Sequence, residues 1–291
     1  MSNPTVRRRR LGTELRKLRE ARALRLEDVA AVLDVAPSTL SRIETGGAPT
    51  RTSYLATMLD LYDVGDPGRR RALADLAREG QRKPWWSDHA ACLPAGTGTY
   101  LDLEAAAVRA CFYAAQVLPG LLQTPGYTTA ACRASPPECT GSHLAAWLAV
   151  QARRQQDARR AGLLVRLLVE EAALLTPVGA ATVMAGQLRH LLTAAGDPAV
   201  TIQVLPLSRA RQVISPPFAA LDFADPADPP AVCYGPVAGQ VILTTRSNHV
   251  QAARTAFTAL SRAALPAGAS ADLIRNLAGL SQPRRKGGPS G

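Results

Sequence analysis

The sequence predicts a mixed fold: an all-α domain of five short helices over residues 9–80, followed by an α+β domain with a mainly antiparallel sheet over 100–281. Three observations carry this. Apolar residues recur at helical spacing from Leu11 to about Gly80, between clear breakers. The stretch 81–99, "QRKPWWSDHAACLPAGTGT", then interrupts that pattern with prolines, glycines and a tryptophan pair, as a linker would. Beyond it, short β-rich runs alternate with amphipathic stretches.

Residues 1–8 read as a basic, frayed tail. Leu11, Leu15 and Leu18 form the first helical stripe, Val29, Ala30 and Leu33 the second, and Leu40 with Ile43 the third. Leu55, Leu59 and Tyr62 fit a fourth helix. Leu73, Leu76 and Ala77 fit a fifth, opened by Asp66-Pro67, which supplies a capping side chain and a proline at the first helical position. Trp85 and Trp86 are expected to anchor the linker on the second domain. There, 163–169, 200–206, 217–223, 231–235 and 240–244 look like strands, the last three forming an antiparallel meander. Met184, Leu188, Leu191 and Leu192 mark one helix after Thr176-Pro177. Val250, Ala253, Phe257 and Leu260 mark another, with Ser247 as its cap, and the arginine-rich 148–162 continues a long helix from near Glu138. The tail 282–291 is disordered by composition.

With 34 basic against 23 acidic residues the net charge is +11, so an anionic partner is expected. Between Arg7 and Arg25 nine basic residues face only Glu14 and Glu20, which places the excess at one end. Charge follows Arg7–Arg10 too closely for an export signal, and no apolar run approaches the roughly 20 residues that span a bilayer, so a cytoplasmic protein without a membrane partner is expected. Cys92, Cys111, Cys132, Cys139 and Cys233 are odd in number and scattered, and read as small buried hydrophobes rather than a disulfide frame.

The stretch 34–46, "DVAPSTLSRIETG", carries the functional signal. Residues 27–33 and 37–44 form two helices joined by about three residues, a helix-turn-helix. Ala30 is small where the helices approach, Asp34 tolerates a left-handed turn, Val35 plugs the angle, and Gly46 stops the second helix. Pro37 suits a first turn. Ser38, Thr39, Ser41 and Arg42 then remain outward. Short hydroxyls keep the helix slim enough for a major groove roughly 12 Å wide, and arginine bonds guanine bidentately. Glu44, at an inward helix end, is expected to pair with Arg19 of the first helix.

At residues 11–46 the chain resembles the repressor/Cro-type, or xenobiotic-response-element, helix-turn-helix regulators. The resemblance implies a third helix in the major groove of double-stranded DNA, with Ser38, Thr39 and Arg42 as base readers and Pro37 and Ser41 at contact positions. Arg25-Leu26 stands where that family commonly has a hydroxyl residue and glutamine, so Arg25 would meet phosphate by charge. Such regulators usually bind as homodimers. "KPWWSD", "VLPGLLQTPGYTTAA" from 117, "TIQVLPL" and "PFAALDFADPADPPAVCYG" resemble the C-terminal domain of antitoxin-like regulators from high-GC bacteria. This implies a small protein partner encoded nearby, with signal sensing and dimerisation as the other roles open to the domain.

Catalytic and cofactor motifs are missing. The chain has no P-loop, no G-x-G-x-x-G, no nucleophile elbow and no histidine at metal-ligand spacing. Glu170-Glu171 is the best carboxylate pair, read as a solvated strand end, and Asp222, Asp225 and Asp228 read as a turn. No cofactor, metal or enzyme activity is expected; a sensor or enzyme in the second domain stays as the rival reading.

Overall fold

The structure, a computed structural model, describes residues 4–94, 96–134, 141–209, 215–235 and 241–279. The expected start near Glu138 and the tail 282–291 lie outside these residues. Contacts divide the chain into one unit holding residues up to Val108 with Leu221–Ala231, and another holding Arg109–Ala220 with residues from Val232 on.

In the first unit, α1 (Pro4–Ala21), α2 (Leu26–Val32), α3 (Pro37–Glu44), α4 (Thr52–Leu61) and α5 (Pro67–Gly80) follow one another through short turns. The five apolar stripes meet in one core of Leu11, Leu15, Val29, Leu40, Ile43, Leu55, Met58, Tyr62 and Leu73. Asp66 accepts from the Gly68 and Arg69 amides and so caps α5.

Two sequence expectations are corrected here. The tail expected over 1–8 is helical from Pro4, and Thr5, Val6 and Arg9 are buried. What holds it is far away in sequence: the Thr5 hydroxyl donates to Asp102 at 2.5 Å, and Arg9 donates to the Pro229 carbonyl at 3.1 Å. The linker expected over 81–99 contains a 3₁₀ turn, Ser87–Cys92, and the start of α6 (Thr97–Ala106), which belongs to this first unit. The Trp86 ring lies so close to Gly98 of α6 that a Cβ there would sit 2.5 Å from it. The tryptophan thus anchors the linker within the first unit and not on the second. Burial holds the Asp102 carboxyl above the usual aspartate range, opposed by Thr5, the Trp86 indole and the Arg8 charge.

The second unit carries a six-stranded sheet in the order β3-β2-β1-β4-β5-β6: β1 Arg109–Ala114, β2 Leu164–Glu170, β3 Val200–Leu205, β4 Phe218–Asp222, β5 Ala231–Tyr234 and β6 Ile242–Thr244. β1 pairs parallel with β2 (Arg109 opposite Leu164) and β2 parallel with β3 (Val165 opposite Val200), whereas β5 and β6 are antiparallel. The sheet is therefore mixed, and the expectation of a mainly antiparallel one fails. The cause is β1, "RACFYA", which the sequence reading did not recognise. With β1 in place, α7 (Pro125–Arg133) and α8 (Gly141–Ala161) become a crossover to β2, and α9 (Glu171–Leu175) and α10 (Ala181–Ala194) a crossover to β3. Parallel neighbours require such helical connections.

Helices α11 (Ser247–Ala263) and α12 (Ala267–Leu277) follow β6. Phe218 centres the core of this unit, its ring centroid 5.9 Å from Tyr113 and 6.4 Å from both Tyr234 and Phe257. The "VLPGLLQTPGY" stretch is tied down by its own amides: Gln123 donates to Leu118 O at 2.7 Å, and Gln187 of α10 donates to Leu122 O at 2.6 Å while accepting from Thr124 N at 2.7 Å. Thr124 caps α7 by accepting from Tyr127 N. Cys92, Cys111 and Cys233 are reduced thiols; Cys132 is disulfide-bonded, which corrects the reading of all five cysteines as buried thiols.

Candidate nucleic-acid interface

The turn between α2 and α3 is built from backbone bonds that close on small or permissive residues. Val35 N donates to Ala30 O at 3.0 Å and Asp34 N to Ala31 O at 3.1 Å, with Asp34 at φ 52°. Ala30 is fully buried, so a longer side chain would hold the helices apart. Pro37 opens α3 at a position whose N–H would have no helical partner. At its other end Gly46 takes φ 75° and lies against Arg9 of α1, which would meet a Cβ at 2.6 Å. Gly12 of α1 approaches the end of α3 as tightly: a Cβ there would sit 2.5 Å from the carbonyl oxygens of Ile43 and Glu44.

These close approaches decide which face of α3 turns inward. Leu40, Ile43 and Glu44 are buried, at helical spacing. Glu44 accepts from Arg19 twice, Nε to Oε1 at 2.6 Å and Nη2 to Oε2 at 2.9 Å, and Arg19 donates a third bond to Leu24 O at 2.9 Å. Both side chains are nearly inaccessible, 10% and 4% exposed, so the fork clamps α1 to α3 from behind. The same environment raises the Tyr62 hydroxyl to about 12, through burial and then the Glu44 charge.

The opposite face is open. Pro37, Ser38, Ser41 and Arg42 are exposed and Thr39 is half-buried. The hydroxyls of Ser38, Thr39 and Ser41 and the Arg42 guanidinium have no hydrogen-bond or ion-pair partner among the described residues. Thr45, by contrast, turns its hydroxyl back to Ser41 O at 2.8 Å. Arg25 stands at the start of α2 with its amide bonded to the Asp28 carboxylate at 3.2 Å and its guanidinium free among the described residues. Arg51, at the start of α4, is exposed and rests 5.4 Å above the Tyr54 ring. It lies outside the helix-turn-helix motif; in the sequence its only mark is an arginine three residues before a tyrosine at a helix start.

The basic cluster of 7–25 looks different in three dimensions. Arg7 pairs with Glu79 at 2.9 Å, Arg22 with Asp63 at 2.9 Å, Arg16 with Glu20 at 2.7 Å and Lys17 with Glu14 at 3.0 Å. Arg10 pairs with Asp225, Arg9 lies over Phe223 and bonds Pro229 O, and Arg8 is partly buried beside Asp102. Acids, some local and some distant in sequence, answer most of the charge that is concentrated there.

Elsewhere, three of the carboxylates considered for acid–base or cation chemistry are occupied separately. Glu170 accepts from the Tyr113 hydroxyl, Glu171 from Leu207 N at 2.9 Å, and Asp225 from Arg10 and Ala227 N. Among the described residues no three His, Cys, Asp or Glu side chains gather where they could hold a metal ion, and no helix is long and apolar enough to cross a membrane.

A family model described as a helix-turn-helix domain matches residues 10–73, and one described as a domain of unknown function (DUF5753) matches residues 97–276. No curated protein and no solved structure matches the chain.

Proposed function

Because the chain belongs to the DUF5753 family and carries a helix-turn-helix domain in front of it, we propose that it is a sequence-specific transcriptional regulator that lays α3 in the major groove of DNA. The observation that supports this most is the open face of Ser38, Ser41 and Arg42, unpartnered among the described residues, on a helix clamped from behind by Arg19 and Glu44. A rigid helix with unspent donors on one side suits direct reading of base edges. Arg42 reads a guanine, Ser38 and Thr39 read neighbouring bases, and Ser41, Pro37 and Arg25 fit the backbone alongside. In this reading the protein is repressor/Cro-like and acts as a homodimer on two half-sites about one helical turn apart. It works without catalysis or a cofactor, inside the cytoplasm. The second unit senses a signal, holds the dimer together, or grips a small protein in antitoxin fashion.

The test is genome-wide mapping of bound DNA for the intact protein beside Arg42→Ala, followed by affinity measurements on a mapped site and on unrelated DNA. Arg42→Ala is expected to weaken the mapped site by about 1–3 kcal/mol and to leave unrelated DNA nearly unchanged. Equal loss on both kinds of DNA removes Arg42 from the reading face.

A further inference from the structure

We infer that the second unit binds a small ligand with an apolar body and a single carboxylate, in the cavity between the C-terminal ends of α8 and α10. The cavity measures about 590 Å³, within the range of small-molecule sites. Leu122, Leu163, Val165 and Val200 form its apolar wall. The first three are buried and fixed on other grounds: Leu122 by the Gln187 bond to its carbonyl, Leu163 by the bond of its amide to Ala158 O at 3.0 Å, and Val165 by pairing with Val200 in the sheet. The wall is therefore preformed, and an apolar body entering it needs little reorganisation.

Two donors face this wall, Arg159 of α8 and His190 of α10. Neither has a hydrogen-bond or ion-pair partner among the described residues. The carbonyls at the two helix ends are already satisfied: those of Ala158 and Arg159 by Leu163 and Gly162, and those of Leu191, Thr193 and Ala194 by Ala195, Gly196 and Asp197. Donors are thus what the cavity has left over, and an anionic acceptor is what they lack. Burial and then the neighbouring Arg159 charge lower the His190 pKa and favour its neutral, single-donor form, so an anion placed between the two is held by the Arg159 charge and the one imidazole N–H. Asp197, on the same lining, caps Ala199 N at 2.9 Å; its charge disfavours a dianion such as a phosphate monoester and leaves a carboxylate as the matching group.

The inference rests on the proposed function only in treating the ligand as a signal; binding itself is tested without DNA. The full chain is titrated with 8-anilinonaphthalene-1-sulfonate, an amphipathic anion that fluoresces in apolar sites, and the probe is displaced with decanoate, decan-1-ol or decylamine. One saturable site per chain is expected, from which decanoate displaces the probe at least tenfold better than the alcohol or the amine. Arg159→Gln, at an exposed position that folding does not need, should weaken decanoate about tenfold. Ala194→Trp, which fills the cavity, should abolish binding; an unchanged circular dichroism spectrum verifies its fold, and His190→Gln gives a second, milder variant. No saturable site, equal displacement by alcohol and acid, or probe binding that survives both Arg159→Gln and Ala194→Trp would overturn the assignment. Loss of operator recognition by Arg42→Ala leaves these titrations untouched, so the two readings fail separately.

Discussion

Arg19 and Glu44 sit 25 positions apart and meet in a bidentate pair that water hardly reaches. Removing one partner strands a buried charge, which costs about 3–5 kcal/mol. Arg19→Met is therefore expected to lower the chemical-denaturation midpoint sharply. Arg19→Met with Glu44→Leu should recover most of that loss, because an apolar pair of similar volume carries no desolvation cost. Asp102 makes a different demand. Its carboxyl titrates above the ordinary range, so the folded state holds its proton more tightly than the unfolded one does. Its contribution to stability is then largest at low pH and falls as pH rises from the ordinary aspartate value of about 3.9. Melting temperatures of the wild type and Asp102→Asn, followed from about pH 4 to pH 7, should shift progressively in favour of the asparagine variant as pH rises.

Single elements divide into those that advertise themselves and those that do not. Asp66-Pro67 and Thr124-Pro125 announce α5 and α7 because a cap acts within three residues of itself. Helix α3 is legible for the same reason: close-packing residue, turn and outward face all lie within the one short stretch from Ala30 to Arg42. Helix α6 gave no signal because Tyr100, Leu101, Asp102, Leu103 and Glu104 are all buried, and a helix covered on every side has no apolar stripe to find. Its neighbour β1 is a six-residue strand whose partner is 55 positions away, Arg109 opposite Leu164, so nothing local marks it as parallel. Missing it turned a mixed sheet into an antiparallel one. The spacing of α1 from α3 depends on Gly12. Gly12→Ala should push the helices apart at about 1–3 kcal/mol. The variant is expected to melt earlier and to lose affinity on every DNA site alike, which separates a packing defect from a lost base contact.

For the molecule as a whole, composition misleads in a way the structure makes plain. Nine basic residues between Arg7 and Arg25 suggest a strongly salt-dependent grip on DNA, yet most of them answer acids of the first unit. At roughly 0.9 per phosphate contact, nine free charges would give a slope of log affinity against log salt near −8 per chain, whereas Arg25 and Arg51 together give about −2. Titrations between low and physiological salt should find the shallow slope, and unpairing Arg22 with Asp63→Asn should steepen it by up to one contact.

The first unit is assembled from three separated stretches: the five helices, α6, and the returning segment Leu221–Ala231. Two of them come from within the span matched as DUF5753. Recombination that exchanged only the gene's front end would leave Thr5, Arg9 and Arg10 facing the wrong neighbours, or none. New specificities in this lineage should therefore arise by point changes on the outer face of α3, with front and back halves inherited together.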